Sequence, residues 1–199
     1  MSIWKWLTGA KPKASGRTPS NKRLVVPKIG ANEERLSREE ATALLYEACA
    51  EADVSTVKFL LGMDPDINSR AWNSSFSPLH VCVSGTDGQD RQSIVKLLVE
   101  AGADLEAQDA EKGLTPLHYA ALRNKALCAD MLLKCGANVH AVERVGATAL
   151  HAAAMMGSVD VAKVLLRHGA DPNRTDSLGH SPKSLAKSRS DTKFLALFG

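Results

Sequence analysis

"GLTPLHYAALRNKALCADMLLKCGANVH" (residues 113–140) and "GATALHAAAMMGSVDVAKVLLRHGADPN" (residues 146–173) decide the fold. Laid one over the other, they match at a step of 33 residues, which also separates His118 from His151 and Gly136 from Gly169. Each contains two short apolar segments, too short to be stable as isolated helices in water. A chain that writes the same marginal unit twice supplies its own support, because stacked copies bury one another's faces.

Working outward, "FSPLHVCVSGTDGQDRQSIVKLLVEAGADLE" (76–106) keeps the pattern, with extra residues between its two apolar segments. "ATALLYEACAEADVSTVKFLLGMDPDIN" (41–68) keeps it with Tyr46 at the histidine position, and "LGHSPKSLAKSRSDTKFLALF" (178–198) begins it and degrades. Five units, at about 37–69, 70–107, 108–140, 141–173 and 174–199, account for the chain from residue 37 onward. Local chemistry predicts the shape of each. Thr115 and Ser77 offer oxygen acceptors to the free N–H groups of a helix start. Pro116 and Pro78 occupy the first helical position, where a missing N–H costs nothing. Leu117, Ala120 and Ala121 make a narrow apolar side; Leu127, Met131, Leu132 and Leu133 make a broader one on the second helix. Gly136 and Gly169 suit the left-handed residue that ends a helix, and Asp104, Asn138 and Asp171 favour the turn that follows. "SREE" (37–40) is a capping box, with Leu36 as its hydrophobic staple, and marks the start of the first unit.

The pattern G-x-T-P-L-H-x-A-A followed by V-x-x-L-L-x-x-G-A-D-x-N resembles the ankyrin repeat. The third and fourth units match nearly residue for residue, the second carries an insertion, and the first and last look like degenerate caps. The resemblance implies an all-α repeat solenoid of stacked helix-turn-helix units with β-hairpin-like fingers projecting at about a right angle. It also implies a concave face that binds other proteins, and no catalysis. No phosphate loop, nucleophile elbow, H-E-x-x-H or dinucleotide fingerprint occurs. His80, His118 and His151 recur at one structural position beside a helix start, where a role in tying turns together outweighs catalysis or zinc. Neighbouring units of a stack hold them roughly a helix diameter apart, beyond the span of one zinc ion's ligand bonds. "GTDGQD" (85–90) lacks the spacing and final glutamate of a calcium loop and reads as an enlarged inter-helix connection, with Arg91 at the opening of the next helix. No cofactor or metal is expected.

Function is sought where the repeat leaves the residue free. The fingers read "NSRAWNSSF" (68–76), "AQDAEKG" (107–113), "AVERVG" (141–146) and "RTDSLG" (174–179). Trp72 and Phe76 stand out, since a turn rarely needs two aromatics; one packs under the finger and the other is free to anchor a partner. Lys112 and Arg144 bring cations to the fingers. Leu122, Arg123, Met155 and Met156 hold the free first-helix positions, and two adjacent methionines on one short helix cannot both face inward. These eight residues are the expected protein-binding set, centred on units two to four.

Of 199 residues, 44% are hydrophobic and 24% charged, with no apolar run long enough to span a membrane. Four cysteines without C-x-x-C spacing read as free thiols in a reducing compartment. The net charge of +3 is uneven: residues 1–30 hold seven cations and no acid, so the remainder carries 3 − 7 = −4. The basic character therefore belongs to a tail, residues 1–30, set before a mildly acidic repeat domain, residues 31–199, and does not point to specific nucleic-acid binding. The start "MSIWKWLTGAKPK" lacks the apolar core and cleavage site of a secretory signal, and Ser2 stands where myristoylation needs glycine. The tail's Ile3, Trp4 and Leu7 form one apolar side of a single turn, suited to a partner groove or to weak membrane contact. The sequence thus predicts a monomeric, non-enzymatic adaptor or inhibitor, cytoplasmic and not secreted. The alternative is a membrane-associated scaffold weakly anchored by the tail; nuclear or peripheral-membrane placement stays open.

Overall fold

The computed structural model describes residues 36–70 and 75–198; Trp72 and the basic tail lie outside this set. Helices come in pairs. They are α1 (Arg38–Glu51) with α2 (Val54–Leu61), α3 (Pro78–Ser84) with α4 (Gln89–Glu100), α5 (Pro116–Leu122) with α6 (Ala126–Lys134), α7 (Ala149–Met156) with α8 (Val159–Arg167), and α9 (Pro182–Ser188) with α10 (Thr192–Leu195), followed by a 3-10 turn at Ala196–Phe198. First helices pack on first helices and second on second, so the chain is a two-layer stack with one continuous core. Alanines on the first layer (Ala120, Ala121, Ala153, Ala154) let neighbours approach closely. The second layer is filled by larger groups, among them Leu60, Ile94, Leu98, Leu132 and Leu165, all fully buried. Each buried leucine contributes roughly 1.5–3 kcal/mol relative to exposure.

The local signals act as their chemistry requires. Ser37 and Glu40 exchange the two bonds of a capping box, and Pro78, Pro116 and Pro182 each open a helix. Gly102, Gly136 and Gly169 close the second helices at φ of +95°, +101° and +88°, where a side chain would be strained.

Histidines join consecutive units. Nδ1 of His80, His118 and His151 lies 2.9 Å from the hydroxyl of Ser77, Thr115 and Thr148 respectively. Nε2 lies 3.1 Å from the carbonyl of Leu114, Ala147 and His180, each the residue before the next unit's helix cap. A carbonyl only accepts, so Nε2 carries the proton and Nδ1 accepts: the rings are neutral. Burial lowers all three pKa values, and the carbonyl contacts only partly oppose it. Tyr46 performs the same task in the first unit, its hydroxyl sitting 2.9 Å from the Phe76 carbonyl and 2.6 Å from that of Ser69.

The fingers are not β-hairpins. Among the described residues there is no strand, and the closest approach to one is a single isolated antiparallel bridge, Val142 to Thr148. A carboxylate organises each of the three fully described finger turns instead. Asp109 Oδ1 accepts from the backbone N–H groups of Lys112 and Gly113 at 2.7 and 2.9 Å, and the Asp109 N–H donates to the Leu114 carbonyl. Glu143 accepts from Val145 and Ala147, and Asp176 from Leu178 and His180. A ladder requires successive paired bonds along both arms. Here the carboxylate occupies the inward N–H groups, and each turn keeps two backbone bonds, one closing its base and one tightening its tip. The side-chain identity at 109, 143 and 176 therefore gives a compact loop where the resemblance implied a hairpin.

The insertion of the second unit becomes an extra turn of helix and a cross-brace. The helix α4 has 12 residues against 9 in α6 and in α8, and Arg91 lies in its first turn, almost fully buried. Its guanidinium donates to the carbonyls of Cys49 and Cys82, both at 2.8 Å, and of Ala50 at 2.5 Å. These are the C-terminal carbonyls of α1 and α3, where the helix dipole is negative, so the cation is stabilised without a carboxylate. A Cβ on Gly85 would fall on the guanidinium, which is why that position is bare. In the other direction Asp87 accepts from the N–H groups of Leu127 and Cys128, capping α6 of the next unit, whose own Lys125 provides no side-chain cap.

Candidate protein-binding face

The finger tips form a row held by backbone bonds: the Arg144 N–H donates to the Lys112 carbonyl at 3.0 Å and the Ser177 N–H to the Val145 carbonyl at 2.9 Å. Each tip is thereby fixed relative to the next, which keeps its side chains in a set spacing. Lys112, Val145 and Leu178 occupy one repeated position, immediately before the turn glycines Gly113, Gly146 and Gly179, whose φ values are +75°, +78° and +80°.

Of the expected set, Lys112 and Arg144 lie exposed on adjacent tips, and Arg144 Nη2 reaches back to the Ala110 carbonyl at 2.5 Å. Arg123 is exposed at the end of α5, while Leu122 is half-buried against the core. Met155 and Met156 both face outward, at 54% and 55% exposure. Phe76 is the aromatic that packs under its finger: it stacks on His80 at 5.7 Å and meets Tyr119 edge-on at 5.0 Å. Trp72 lies outside the described residues. Lys112 and Arg144 thus lie on the tips, Arg123, Met155 and Met156 lie at the C-terminal ends of the first helices of consecutive units, and Phe76 sits apart in a ring cluster.

Sequence reading passed over Val145 and Leu178, exposed by 46% and 71%. The signal was available: an apolar residue just before a turn glycine, at a position 33 residues on from Lys112, has nothing within its own unit to pack against.

Electrostatics favour permanence over reactivity. Burial acts to raise the Asp109 carboxyl, yet hydrogen bonds from Tyr119 and three backbone N–H groups hold it below the usual range. The thiols of Cys49, Cys82 and Cys128 are pushed up by burial, Cys82 to about 12, so they stay protonated. Among the described residues no cluster of histidine, cysteine and carboxylate side chains has the geometry to hold a metal ion. No helix there is long and apolar enough to cross a membrane.

Comparison with known proteins agrees with this architecture. The chain is 34% identical over 127 residues to the mouse B-cell lymphoma 3 protein homolog, covering 62% of this chain and 27% of that protein. It is 37% identical over 87 residues to human ankyrin repeat and SOCS box protein 16, covering 44% and 18%. It is 32% identical over 106 residues to an ankyrin repeat protein of fowlpox virus, covering 53% and 20%. The chain therefore spans about a fifth to a quarter of the length of these relatives. A family model for three copies of the ankyrin repeat matches residues 14–109 and again 88–176. With the helix pairs, the bridging histidines and the closing glycines in place, the chain belongs to the ankyrin repeat family.

Proposed function

We propose that the chain is a non-enzymatic protein-interaction module, an adaptor or an inhibitor of one protein partner. Its partner contacts the finger tips and first-helix ends of units three to five. The supporting observation is the exposure of Met155 and Met156 at the C-terminal end of α7, with Val145 and Leu178 exposed on the finger tips. Four large apolar side chains stand in water on the tips and first-helix ends of a scaffold whose other apolar groups are mostly buried. Apolar groups ringed by the cations Lys112, Arg123 and Arg144 match an interface core with a charged rim. This places the binding surface one unit further along the stack than the sequence alone does.

The test is affinity purification from a native extract with tagged full-length chain, in parallel with the double variant Met155→Ser, Met156→Ser. A partner retained by the first and lost by the second, then titrated with both purified chains, is expected to show weakening of about 1 kcal/mol or more. Equal affinity for the two chains, with unchanged circular dichroism, would remove these methionines from the interface.

A further inference from the structure

Charges on the proposed face are arranged unequally by sign. Its acids are turned inward: Asp109, Glu143 and Asp176 each accept two or more backbone N–H groups within their own turns, and Glu106 accepts the Asn138 N–H at 2.8 Å. Those carboxylates are matched to fixed N–H dipoles. The cations are not matched. Lys112, Arg123, Arg144, Arg174 and Arg189 enter no ion pair among the described residues; on the second helices Lys96, Lys134 and Lys163 are paired, at 3.7, 2.6 and 3.8 Å, and Lys58, Arg167 and Lys193 are not. Arg144 and Arg189 each direct one N–H to a carbonyl of the unit before, that of Ala110 and Met155, and Arg174 directs one to the His140 carbonyl at the end of unit three. These contacts orient the guanidinium groups and leave their charge uncompensated. Glu111 is the one exposed acid on the finger row without a hydrogen bond of its own.

From this pattern, and given that the face is the binding surface, we infer that its partner is an acidic polypeptide segment carrying a central apolar side chain. The apolar group lies on Met155 and Met156, between Arg123 and Arg189, which share the repeat position of Met156 at steps of 33 residues. The flanking carboxylates meet Arg123, Arg144 and Arg189, with guanidinium forks suited to bidentate pairing. A partner lacking acids would cover these cations without compensation, which is costly when they are desolvated. Single-stranded nucleic acid fits less well, because base stacking needs exposed aromatic rings, and among the described residues of this face no exposed side chain is aromatic.

The test is selection of random peptides displayed on phage against the full-length chain, followed by titration of the enriched peptide. Expected are Asp and Glu flanking Leu, Ile, Phe or Met. Affinity should fall about fivefold in Met155→Ser, Met156→Ser and about tenfold in Arg123→Glu, Arg144→Glu. Arg123→Glu alone, at an exposed position without a hydrogen-bonded side chain, should lose part of this with the fold intact. Raising salt from about 0.05 to about 0.5 M should weaken wild type more than the charge-reversed chain. Enriched peptides with neutral or basic flanks, still lost in the methionine variant, would overturn the acidic-partner inference and leave the face standing. Acidic peptides indifferent to the methionine and arginine variants would overturn both. No enrichment, or tighter binding of a single-stranded oligonucleotide at the same face, would also overturn the inference.

Discussion

Units three and four differ from unit two in how the turn between their helices is made, and the difference shows two ways of stabilising the same stack. In unit three the connection is Arg123, Asn124 and Lys125; Asn124 takes a left-handed φ of 52° and its side chain accepts the Val161 N–H of the next unit. In unit four Gly157 takes φ of 71° and the chain turns at once into α8. In both, a residue tolerant of positive φ closes the turn within the unit, and the Asn124 contact to the next unit is one long bond of 3.4 Å. Unit two has a longer connection, residues 85–88, and Gly85 is extended rather than left-handed. It is held by side chains reaching across unit boundaries, Arg91 back to the end of α1 and Asp87 forward to the start of α6. A repeat that abandons its local turn needs long-range contacts to hold it, and these make the insertion part of the framework. Asp87 in the loop and Arg91 at the start of α4 are both committed to neighbouring units.

The largest expected effect probes this brace. Arg91→Met keeps the stem and removes the guanidinium, leaving three buried helix-end carbonyls without donors. It should cost about 3 kcal/mol or more in urea unfolding, whereas Asn124→Ala in unit three should cost about 1 kcal/mol. Equal losses would erase the distinction between the two kinds of turn.

Next come the contacts that all units share. His80→Ala, His118→Ala and His151→Ala should each lose about 1–3 kcal/mol, because each leaves a cap hydroxyl and the next unit's carbonyl unpaired. Tyr46→Phe removes only the hydroxyl and should cost about 1 kcal/mol. If it matches the histidine variants, the first unit is no weaker a cap than the interior joints.

Asp87→Ala sharpens the comparison from the other side. It deletes the cap that unit two lends to α6, and a loss of about 1 kcal/mol is expected, with faster amide exchange at Leu127 and Cys128. Unchanged exchange there would show that α6 does not depend on the insertion.

The mildest perturbation is pH. Burial lowers the folded-state pKa of His80, His118 and His151 below an unfolded value of about 6.5. Above that value both states are neutral and stability is full. As pH falls from about 6.5 toward the folded values, the unfolded chain binds protons first, and stability declines. Urea midpoints at about pH 7.5 and 5.5 should show this decline, reduced in a chain lacking one of the histidines.

Sequence alone determined what depends on neighbours within a few residues. The 33-residue step, the capping box at Ser37, the prolines at helix starts and the glycines Gly136 and Gly169 at helix ends all act through φ, ψ and hydrogen bonds of adjacent residues, so their meaning is written beside them. The outward orientation of Met155 and Met156 was half legible, since helix geometry forbids both from facing inward. Tertiary structure decided the rest. Whether the fingers became hairpins or carboxylate-organised loops turned on where Asp109, Glu143 and Asp176 point, and repeat pattern carries no information on that. Phe76 joins His80 and Tyr119 only once units two and three are stacked. Arg91 finds its acceptors 9 and about 40 residues away in the chain, and Asp87 finds its donors about 40 residues ahead. Val145 and Leu178 are exposed because stacking covers the other apolar side chains of their units and not the tips. Contacts between units join residues about one repeat or more apart, and a pattern that says what repeats does not say which departures from it will meet.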